Sequence, residues 1–226
     1  MTDGSDAGSS RERELKLGVP DEAAFRALLD AAGGRRDGPV LQVNHFFDTA
    51  DQTLRARRIG LRIRREGGRF TLTVKGPTGL APASALKDRV ELERSLAPER
   101  ARAALEGALP ALSLLEGLDV GEGEGALLVG AAREACADAP LGEIGAFSNA
   151  RTFVHTELDG LPVVLEFDRT EFSEGEVRFE IELELAPGDP TGRLTAALES
   201  LFESVGIAPA PTTSKLTRFL EVLDRR

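Results

Sequence analysis

The chain has 226 residues, which is long enough to bury a sizeable core. Its formal net charge of −10 argues against a broad basic face for duplex DNA or for an anionic membrane. Its one cysteine, Cys136, excludes an intramolecular disulfide and a zinc site built from cysteines, and it favours a reducing, cytoplasmic location. Because the chain has two histidines, His45 and His155, a His-rich metal site is also excluded, and a metal here needs oxygen ligands.

Residues 1–10 are rich in Gly, Ser and Asp, which predicts a disordered tail without the apolar segment of a secretory signal. Residues 11–226 are predicted to form a single domain. In its first part, alternating apolar and polar residues predict strands, and a helix is expected between Pro20 and the pair Gly33-Gly34. The strands are predicted at 11–17, 41–49, 60–65, 69–75 and 85–96, the helix at 21–32, and a short helical turn at 50–58.

A helical insert is predicted at 97–148, with helices at 98–117 and 127–137 on either side of a flexible Gly-Glu-Gly-Glu-Gly break at 121–125. No stretch of the chain approaches the roughly 20 apolar residues of a membrane span. About eight strands, mostly connected as hairpins, together with several helices favour an antiparallel α+β fold over repeated βαβ units. The later strands are predicted at 150–158, 162–172 and 177–185, and the later helices at 191–205 and 214–223.

The predicted strands carry charged residues on one face and apolar residues on the other. A sheet with one face in water has this pattern, and so has a closed barrel with a polar interior, for which eight strands are about the number needed. The charges are also segregated by strand, because Arg62, Arg64 and Lys75 share one hairpin whereas Glu180 and Glu182 belong to a row of carboxylates. Like charges side by side repel, so this segregation favours the barrel and a ligand inside it. The apolar residues expected outside, under helices, include Leu15, Ile63, Leu72, Leu92 and Ile181.

The two sets of charge suit a metal-bound polyphosphate. Mg²⁺ prefers carboxylate oxygens, water and substrate phosphates as ligands. Arginine offers a planar fork of donors to phosphate oxygens, and lysine offers a point charge. The residues alone therefore predict a site in which carboxylates bind a divalent cation and Arg and Lys side chains bind the anion.

The charged motifs resemble, in the same order, those of the CYTH superfamily, the triphosphate tunnel metalloenzymes. The resemblance covers about residues 11–220. Its motifs are Glu12-x-Glu14-x-Lys16, Phe47-Asp48-Thr49, Leu61-Arg62-x-Arg64, Leu72-Thr73-x-Lys75, Arg89-x-Glu91-x-Glu93, Arg151, Glu166-x-Asp168, Glu180-x-Glu182-x-Glu184 and Ser214-Lys215. The resemblance implies an eight-stranded antiparallel β-barrel that forms a triphosphate tunnel, with flanking helices, a helical insert and Mg²⁺ or Mn²⁺ as cofactor.

The resemblance also implies roles for individual residues. Lys16 and Glu14 are predicted to be catalytic, since either side chain is a candidate to position or deprotonate the attacking water. Arg89 clamps phosphate or neutralises neighbouring carboxylates, and His45 and His155 are expected to be structural. The predicted metal ligands are Glu12, Glu14, Asp168, Glu180 and Glu182, and the predicted phosphate ligands are Lys16, Arg62, Arg64, Lys75, Arg89, Arg151 and Lys215. A supporting set, which orients ligands or pairs with arginine, comprises Glu91, Glu93, Glu166 and Glu184.

The leading functional hypothesis is metal-dependent hydrolysis of a triphosphate, with inorganic tripolyphosphate ahead of thiamine triphosphate and nucleoside triphosphates. One alternative is a class IV-type adenylate cyclase, which would need an adenine pocket. The absence of Tyr and Trp disfavours it, because positions that other members fill with these residues must be Phe, His or aliphatic here. A second alternative is a polyphosphate-binding module without turnover, which would not need two sets of carboxylates. The expected partner is thus a small anionic substrate, with neither nucleic acid nor membrane.

Overall fold

The computed structural model describes residues 8–76, 85–116, 120, 123–136 and 139–225. Its strands are β1 (Gly8–Val19), β2 (Arg35–Asp48), β3 (Gly60–Glu66), β4 (Arg69–Lys75), β5 (Leu86–Leu96), β6 (Gly142–Leu158), β7 (Leu161–Glu171), β8 (Val177–Glu184) and β9 (Ala210–Pro211). Its α-helices are α1 (Glu22–Ala32), α2 (Thr53–Ala56), α3 (Pro98–Leu105), α4 (Glu124–Ala135), α5 (Thr191–Ser204) and α6 (Lys215–Leu223). Among these helices, none is long and apolar enough to cross a membrane.

Hydrogen-bonded strands follow one another in the order β5-β4-β3-β2-β6-β7-β8-β1-β9, and β5 also pairs with β1. This additional pairing closes the eight long strands into an antiparallel barrel, with the two-residue β9 attached to β1. The predicted fold class, an α+β barrel with flanking helices, is therefore confirmed. The alternative of an open sheet is wrong, because the strand order has no free edge between β1 and β5.

Three strands begin at least three residues earlier than the sequence predicts. β1 starts at Gly8, so the last three residues of the predicted tail belong to a strand, while residues 1–7 of that tail lie outside the described residues. β2 starts at Arg35, six residues before the predicted start. β6 starts at Gly142, inside the predicted helical insert. Hydrogen bonding to adjacent strands, rather than local alternation in the sequence, keeps these additional residues in strands.

The first helix within the predicted insert is shorter than expected, and the second begins and ends earlier than expected. α3 ends at Leu105, close to Gly107, whose φ of 73° is a left-handed conformation that ends a helix. A 3-10 helix at Ala111–Leu115 then replaces the rest of the predicted helix. Gly121 and Glu122 of the predicted flexible break lie outside the described residues, and α4 begins directly after Gly123.

The chain divides into two compact units. Unit 1 takes in Gln42–Leu80, Arg89–Phe147 and the chain up to Arg11, and unit 2 takes in Glu12–Leu41, Ala81–Asp88 and Ser148–Arg226. The core of unit 1 packs the apolar faces of β3, β4 and β5 against helical residues. Its fully buried members include Ile63, Leu72, Leu92, Ala101, Val129 and Ala132. Cys136 belongs to this core, and burial raises the pKa of its thiol, as is typical of a packed cysteine rather than a reactive one.

The core of unit 2 packs the apolar faces of β1, β7 and β8 against α1 and α5. Its members include Leu15, Phe167, Ile181, Leu28, Leu198 and Phe202, each at most 1% exposed. α1 begins where the Asp21 carboxylate accepts a hydrogen bond from the Ala24 backbone N–H at 2.8 Å, and it ends at Gly33. The apolar residues that the sequence placed under helices are thus all buried, which leaves the opposite faces of the same strands for the charged residues.

Candidate active site

The strand register of unit 2 aligns charged residues across neighbouring strands. Arg151 on β6 lies opposite Asp168 on β7, and Asp168 lies opposite Glu180 on β8. In the adjacent row, Glu166 on β7 lies opposite Glu182 on β8, which lies opposite Lys16 on β1. Residues opposite each other in antiparallel strands have side chains about 5 Å apart. The register therefore brings residues that are far apart in sequence into one group.

The carboxylates of this group are removed from water. Asp168 and Glu180 are each 0% exposed and Glu182 is 4% exposed. An ordinary sheet would leave its charged face in solvent, so this burial excludes the simplest explanation of the alternating pattern for β7 and β8. Buried carboxylates are costly unless cations or hydrogen bonds compensate them.

Three cations compensate these carboxylates. Arg151 makes a bidentate contact with Asp168, with Nε 2.8 Å from Oδ1 and Nη2 2.5 Å from Oδ2, and it also reaches Glu182 and Glu166. Lys16 contacts Glu182 and lies 3.2 Å from Glu14. These two predicted phosphate ligands are thus paired with carboxylates here.

Helix α6 supplies the third of these cations, Lys215, and a fourth, Arg218. Ser214 caps the helix, since its Oγ accepts a hydrogen bond from the Thr217 backbone N–H at 3.1 Å. Lys215 Nζ lies 2.7 Å from Asp168 Oδ2 and 2.8 Å from Glu182 Oε1, and it also contacts Glu180. Arg218, one helical turn further along, contacts the second oxygen of Glu180.

The shared cations set the charge states of the group. Burial disfavours the ionised form of Asp168, but Lys215 and Arg151 outweigh this cost and hold the pKa of its carboxyl below the usual range. Lys16, Lys215 and Arg151 do the same at Glu182 and place its pKa well below that range. Burial likewise opposes the charge of Lys215, and the surrounding carboxylates raise the pKa of its ammonium.

Glu166 behaves differently from its neighbours. Burial raises the pKa of its carboxyl to about 7, and the nearby charges of Glu182 and Asp168 act in the same direction. Arg151, which contacts Glu166, and Lys215 act in the opposite direction but do not outweigh burial. The pKa of Glu166 therefore lies near neutral pH, whereas the pKa values of Asp168 and Glu182 lie below their usual range.

Two neutral side chains fix the orientation of Asp168. Asn149 is 1% exposed, and its Nδ2 donates to Asp168 Oδ1 at 2.8 Å. Thr170 Oγ1 donates in turn to Asn149 Oδ1, also at 2.8 Å. This chain of hydrogen bonds prevents the amide and the carboxylate from rotating, so it holds the oxygens of Asp168 toward Glu180 and Glu182.

One oxygen each from Asp168, Glu180 and Glu182 lies within 4.8 Å of the others, and we call these residues the carboxylate triplet. Within the described residues, it is the one group of three acidic, His or Cys side chains that converge this closely. Oxygen-only donors of this charge suit a hard divalent cation such as Mg²⁺ or Mn²⁺. The ammonium of Lys215 already lies among these oxygens, which is independent support for a cation-binding position.

The structure does not bring all five predicted metal ligands together. Glu12 and Glu14 lie on β1 outside the triplet, and Glu14 is buried beside Lys16. Among the supporting residues, Glu166 contacts Arg151, but Glu184 is exposed at the end of β8. Two members of the Glu-x-Glu-x-Glu row, Glu180 and Glu182, are therefore buried in the site. Glu184 follows the same alternation, but the end of β8 on which it lies is exposed to solvent.

Unit 1 has a second group of paired charges. Arg62 donates to Thr73 Oγ1 at 3.0 Å and lies 3.4 Å from Glu93. Lys75 Nζ lies 2.7 Å from Glu91. These contacts follow from the β3–β4–β5 register, in which Arg62 is opposite Thr73 and Thr73 is opposite Glu93.

The other predicted phosphate ligands of unit 1 differ in their surroundings. Arg64 lies beside Asn44 on β2, with its Nε 3.3 Å from the amide oxygen. Arg89 lies on β5 and is half-buried. Burial opposes the ionised form of Glu93, but Arg62 and Arg64 outweigh it and lower the pKa of that carboxyl.

The two histidines and the motif residue Asp48 have structural surroundings. His45 Nδ1 lies 2.9 Å from Glu143, and His155 Nε2 lies 2.9 Å from Asp37, so each imidazole has a carboxylate partner outside the triplet. The Asp48 carboxylate accepts hydrogen bonds from the backbone N–H groups of Thr49, Leu54 and Arg55. It therefore fixes the turn that leads into α2.

Sequence reasoning missed two members of the unit 2 group. Arg218 follows Lys215 by three residues on a predicted helix, a spacing that places both on one face, and this was the available signal. Asn149 precedes Arg151 by two residues, so strand alternation places both on the same face of β6. A neutral amide among charged motifs gives no charge signal, and only the structure identifies its contact with Asp168.

Comparison with known proteins agrees with the fold described above. A model of the CYTH domain matches residues 10–220. A candidate adenylyl cyclase from Hippeastrum, described as having a dominant triphosphatase activity, is 25% identical, with a TM-score of 0.74 over 93% of this chain and 96% of its own. A candidate adenylate cyclase from Bacillus halodurans is 27% identical, with a TM-score of 0.64 over 94% and 98%. A Pyrococcus horikoshii protein shares the fold at 19% identity and a TM-score of 0.56, over 92% and 99% of the two chains.

Proposed function

The chain belongs to the CYTH family, and from this premise we propose that it is a metal-dependent triphosphatase, with inorganic tripolyphosphate as its substrate ahead of thiamine triphosphate and nucleoside triphosphates. The observation that carries the proposal is the carboxylate triplet, buried beside Lys16, Arg151 and Lys215. The triphosphatase activity described for the Hippeastrum protein points to the same reaction class. We expect a cytoplasmic location, consistent with a lone cysteine.

Asp168, Glu180 and Glu182 would hold Mg²⁺ or Mn²⁺, which when bound supplies charge neutralisation at the phosphoryl group under attack. Glu12 and Glu14 stay proposed ligands that complete the set from β1. Asn149 orients the Asp168 carboxylate for this task, and Lys215, Lys16 and Arg151 keep Asp168 and Glu182 ionised.

The cations of the chain bind and orient the substrate. Lys16 and Arg151 offer charge-assisted donors to phosphate oxygens, which stabilise the charge that shifts to the leaving oxygen. Lys16 also orients the attacking water, with Glu14 at 3.2 Å to fix its ammonium. Arg62, Arg64, Lys75 and Arg89 of unit 1 stay proposed phosphate ligands.

The proposal is tested by measuring phosphate release from tripolyphosphate, thiamine triphosphate, ATP and pyrophosphate, each with Mg²⁺ and with Mn²⁺. We expect the highest kcat/KM with tripolyphosphate, since pyrophosphate leaves part of the cation set without an anion. Glu182→Gln should lower kcat at least about 100-fold, because it weakens the site that acts on the transferring charge. Glu184→Gln is the matched control, an exposed carboxylate two residues along the same strand, and it should leave kcat unchanged.

Two similar structures are named as candidate cyclases, which makes ATP cyclisation the second candidate function. Cyclic AMP is therefore measured in the same ATP reactions. Cyclic AMP formation faster than phosphate release would replace the triphosphatase assignment. Tight tripolyphosphate binding with no phosphate released under either metal would instead favour a binding module without turnover.

A further inference from the structure

Helix α6 directs a cation to the point on which the carboxylate triplet converges. Lys215 Nζ is within 2.8 Å of oxygens of Asp168 and Glu182 and also contacts Glu180, so one ammonium touches all three members. The side chain is 14% exposed, and the contacts therefore form away from bulk water. A divalent cation bound by the same three carboxylates would require this position.

Arg218 adds a second cation from the same helix face. Its Nη2 contacts Glu180 Oε2, which is the oxygen not used by Lys215. The Arg218 side chain is 11% exposed, and its Nε–H is buried without a hydrogen-bond acceptor. A buried donor without an acceptor costs free energy, so this guanidinium retains the capacity to bind a further anion.

The charges of the group nearly cancel without any ion from solution. Its carboxylates are Glu14, Glu166, Asp168, Glu180 and Glu182, and its cations are Lys16, Arg151, Lys215 and Arg218. Because the carboxylates are already neutralised, a divalent cation gains little unless an internal cation leaves. The two cations on α6 are the ones whose departure needs no rearrangement of the barrel strands.

We propose that Lys215 and Arg218 compete with the divalent cation for the carboxylate triplet, and that both side chains pass to the anionic substrate when the metal binds. Arg218 is thereby assigned as a further substrate-binding residue. The identity of the anion, a polyphosphate, rests on the proposed function. The competition itself rests only on the contacts of α6 with Asp168, Glu180 and Glu182.

The competition makes the binding of metal and of anion mutually dependent. When metal alone binds, it leaves two cations without anionic partners, and when polyphosphate alone binds, it meets cations that are already paired. When both bind, every charge has a partner, so each ligand raises the affinity for the other by the same factor. α6 is the element that carries this coupling.

The test measures Mn²⁺ affinity by electron paramagnetic resonance of the free ion, without substrate, in the full chain and its variants. Lys215→Met should bind Mn²⁺ about tenfold more tightly than the unmodified chain, and Arg218→Met several-fold more tightly. Arg225→Met is the matched control, because Arg225 pairs with Glu176 near the end of α6, outside the triplet. Its Mn²⁺ affinity should not change.

A second measurement needs no variant and so does not depend on variant folding. Hydrogen exchange of the α6 amides in the unmodified chain should become faster when Mn²⁺ alone is added. It should slow again when an imido-bridged, non-hydrolysable tripolyphosphate analogue is added with Mn²⁺. A purely structural role of Lys215 would leave exchange in α6 unchanged by Mn²⁺.

The inference is overturned if Lys215→Met binds Mn²⁺ no more tightly than the unmodified chain, or if Mn²⁺ leaves α6 exchange unchanged. Phosphate release that persists alongside either result would keep the proposed function while removing the competition. If no form of the chain bound Mn²⁺ and none released phosphate, the inference and the proposed function would both be wrong.

Discussion

At the scale of single residues, Asn149 shows how a neutral side chain controls a charged site. It bridges Thr170 and Asp168 by two hydrogen bonds of 2.8 Å in a fully buried position. Replacing it with leucine leaves the Thr170 hydroxyl and one Asp168 oxygen without this partner. We expect Asn149→Leu to lower the free energy of unfolding by about 1–3 kcal/mol, measured by urea denaturation, and also to lower kcat.

Thr170→Val is the milder companion to this substitution. It removes the hydroxyl that donates to Asn149, but the hydrogen bond from the Asn149 side-chain amide to Asp168 remains. The loss of stability should therefore be smaller, and kcat should be nearly unchanged. If Thr170→Val lowered kcat as much as Asn149→Leu does, the effect would come from general disturbance of β7 rather than from the orientation of Asp168.

The ionisation of Glu93, a residue of unit 1, makes the stability of the fold depend on pH. Its carboxyl has a lowered pKa in the folded chain because Arg62 and Arg64 outweigh the effect of burial. A lowered pKa means that the ion pair stabilises the fold above the unfolded pKa and that this contribution disappears as the pH falls through the folded value. The Glu93 side chain is 46% exposed, so solvent screens this ion pair. We therefore expect Glu93→Gln to lose little stability at pH 7 and to show a slightly shallower decline from pH 5 to pH 3 than the unmodified chain.

This comparison is made by urea denaturation at several pH values. Glu99→Gln, at an exposed position near the start of α3, is the control and should keep the decline of the unmodified chain. Parallel pH profiles for Glu93→Gln and the unmodified chain would contradict the assigned direction of the pKa shift.

The sequence predicts which residues are charged and on which strand face they lie, but not which of them share a contact. Asp168, Glu180 and Glu182 converge because of the register between β7 and β8, and register depends on pairing that no single strand encodes. Glu12 belongs to the same motif as Glu14, yet motif membership does not fix distance from the triplet. Arg218 was missed because a lone arginine on a helix ordinarily faces solvent.

At the scale of elements, α6 depends on its first residue for its position. Ser214 caps the helix directly before Lys215, so loss of the cap frees the turn that carries the ammonium. Ser214→Ala should lower the free energy of unfolding by about 1 kcal/mol and change both kcat and KM. Thermal unfolding and steady-state kinetics on tripolyphosphate measure the two effects.

A second capped helix provides the matched control. Asp21 caps α1 by the same kind of contact, with the Ala24 N–H at 2.8 Å, but α1 contributes no residue to the triplet. Asp21→Ala should cost similar stability and leave the kinetics unchanged. Equal kinetic losses in both variants would mean that stability alone, and not the position of Lys215, causes the change.

Element type was easier to predict than element boundaries. The strands at 60–65 and 69–75 are observed almost at the predicted bounds, because a strict alternation and a Gly-Gly turn define both. β6 was predicted eight residues too short, since Gly142 and Gly145 interrupt the pattern at its start. Hydrogen bonding to neighbouring strands outweighs the weak strand preference of glycine there.

At the scale of the whole molecule, internal neutralisation predicts that folding does not depend on metal. The triplet has Lys16, Arg151 and Lys215 as partners, so removal of a divalent cation does not leave bare buried carboxylates. In excess EDTA we expect phosphate release to stop while the far-ultraviolet circular dichroism spectrum and the cooperative thermal transition remain. Re-addition of Mg²⁺ or Mn²⁺ should restore turnover without a refolding step.

Small metal-dependent folds behave in the opposite way, since they unfold when a chelator removes their ion. Loss of the circular dichroism signal in EDTA would show that the internal cations do not substitute for the metal. Full turnover in EDTA would show instead that the chemistry does not use the triplet as a metal site.

The sharing of each buried carboxylate among several cations restricts the evolutionary history of the site. Asp168 contacts both Arg151 and Lys215, and Glu182 contacts these two and Lys16 as well. Exchanging the partners of one pair, as in Asp168→Lys with Lys215→Asp, would leave the new lysine facing Arg151. Balancing the charges again would then take further substitutions at the same time. Any single substitution of a charged residue in this group is therefore destabilising. Descendants of such a chain are expected to diverge at the surface and in the helices while these positions change together or not at all.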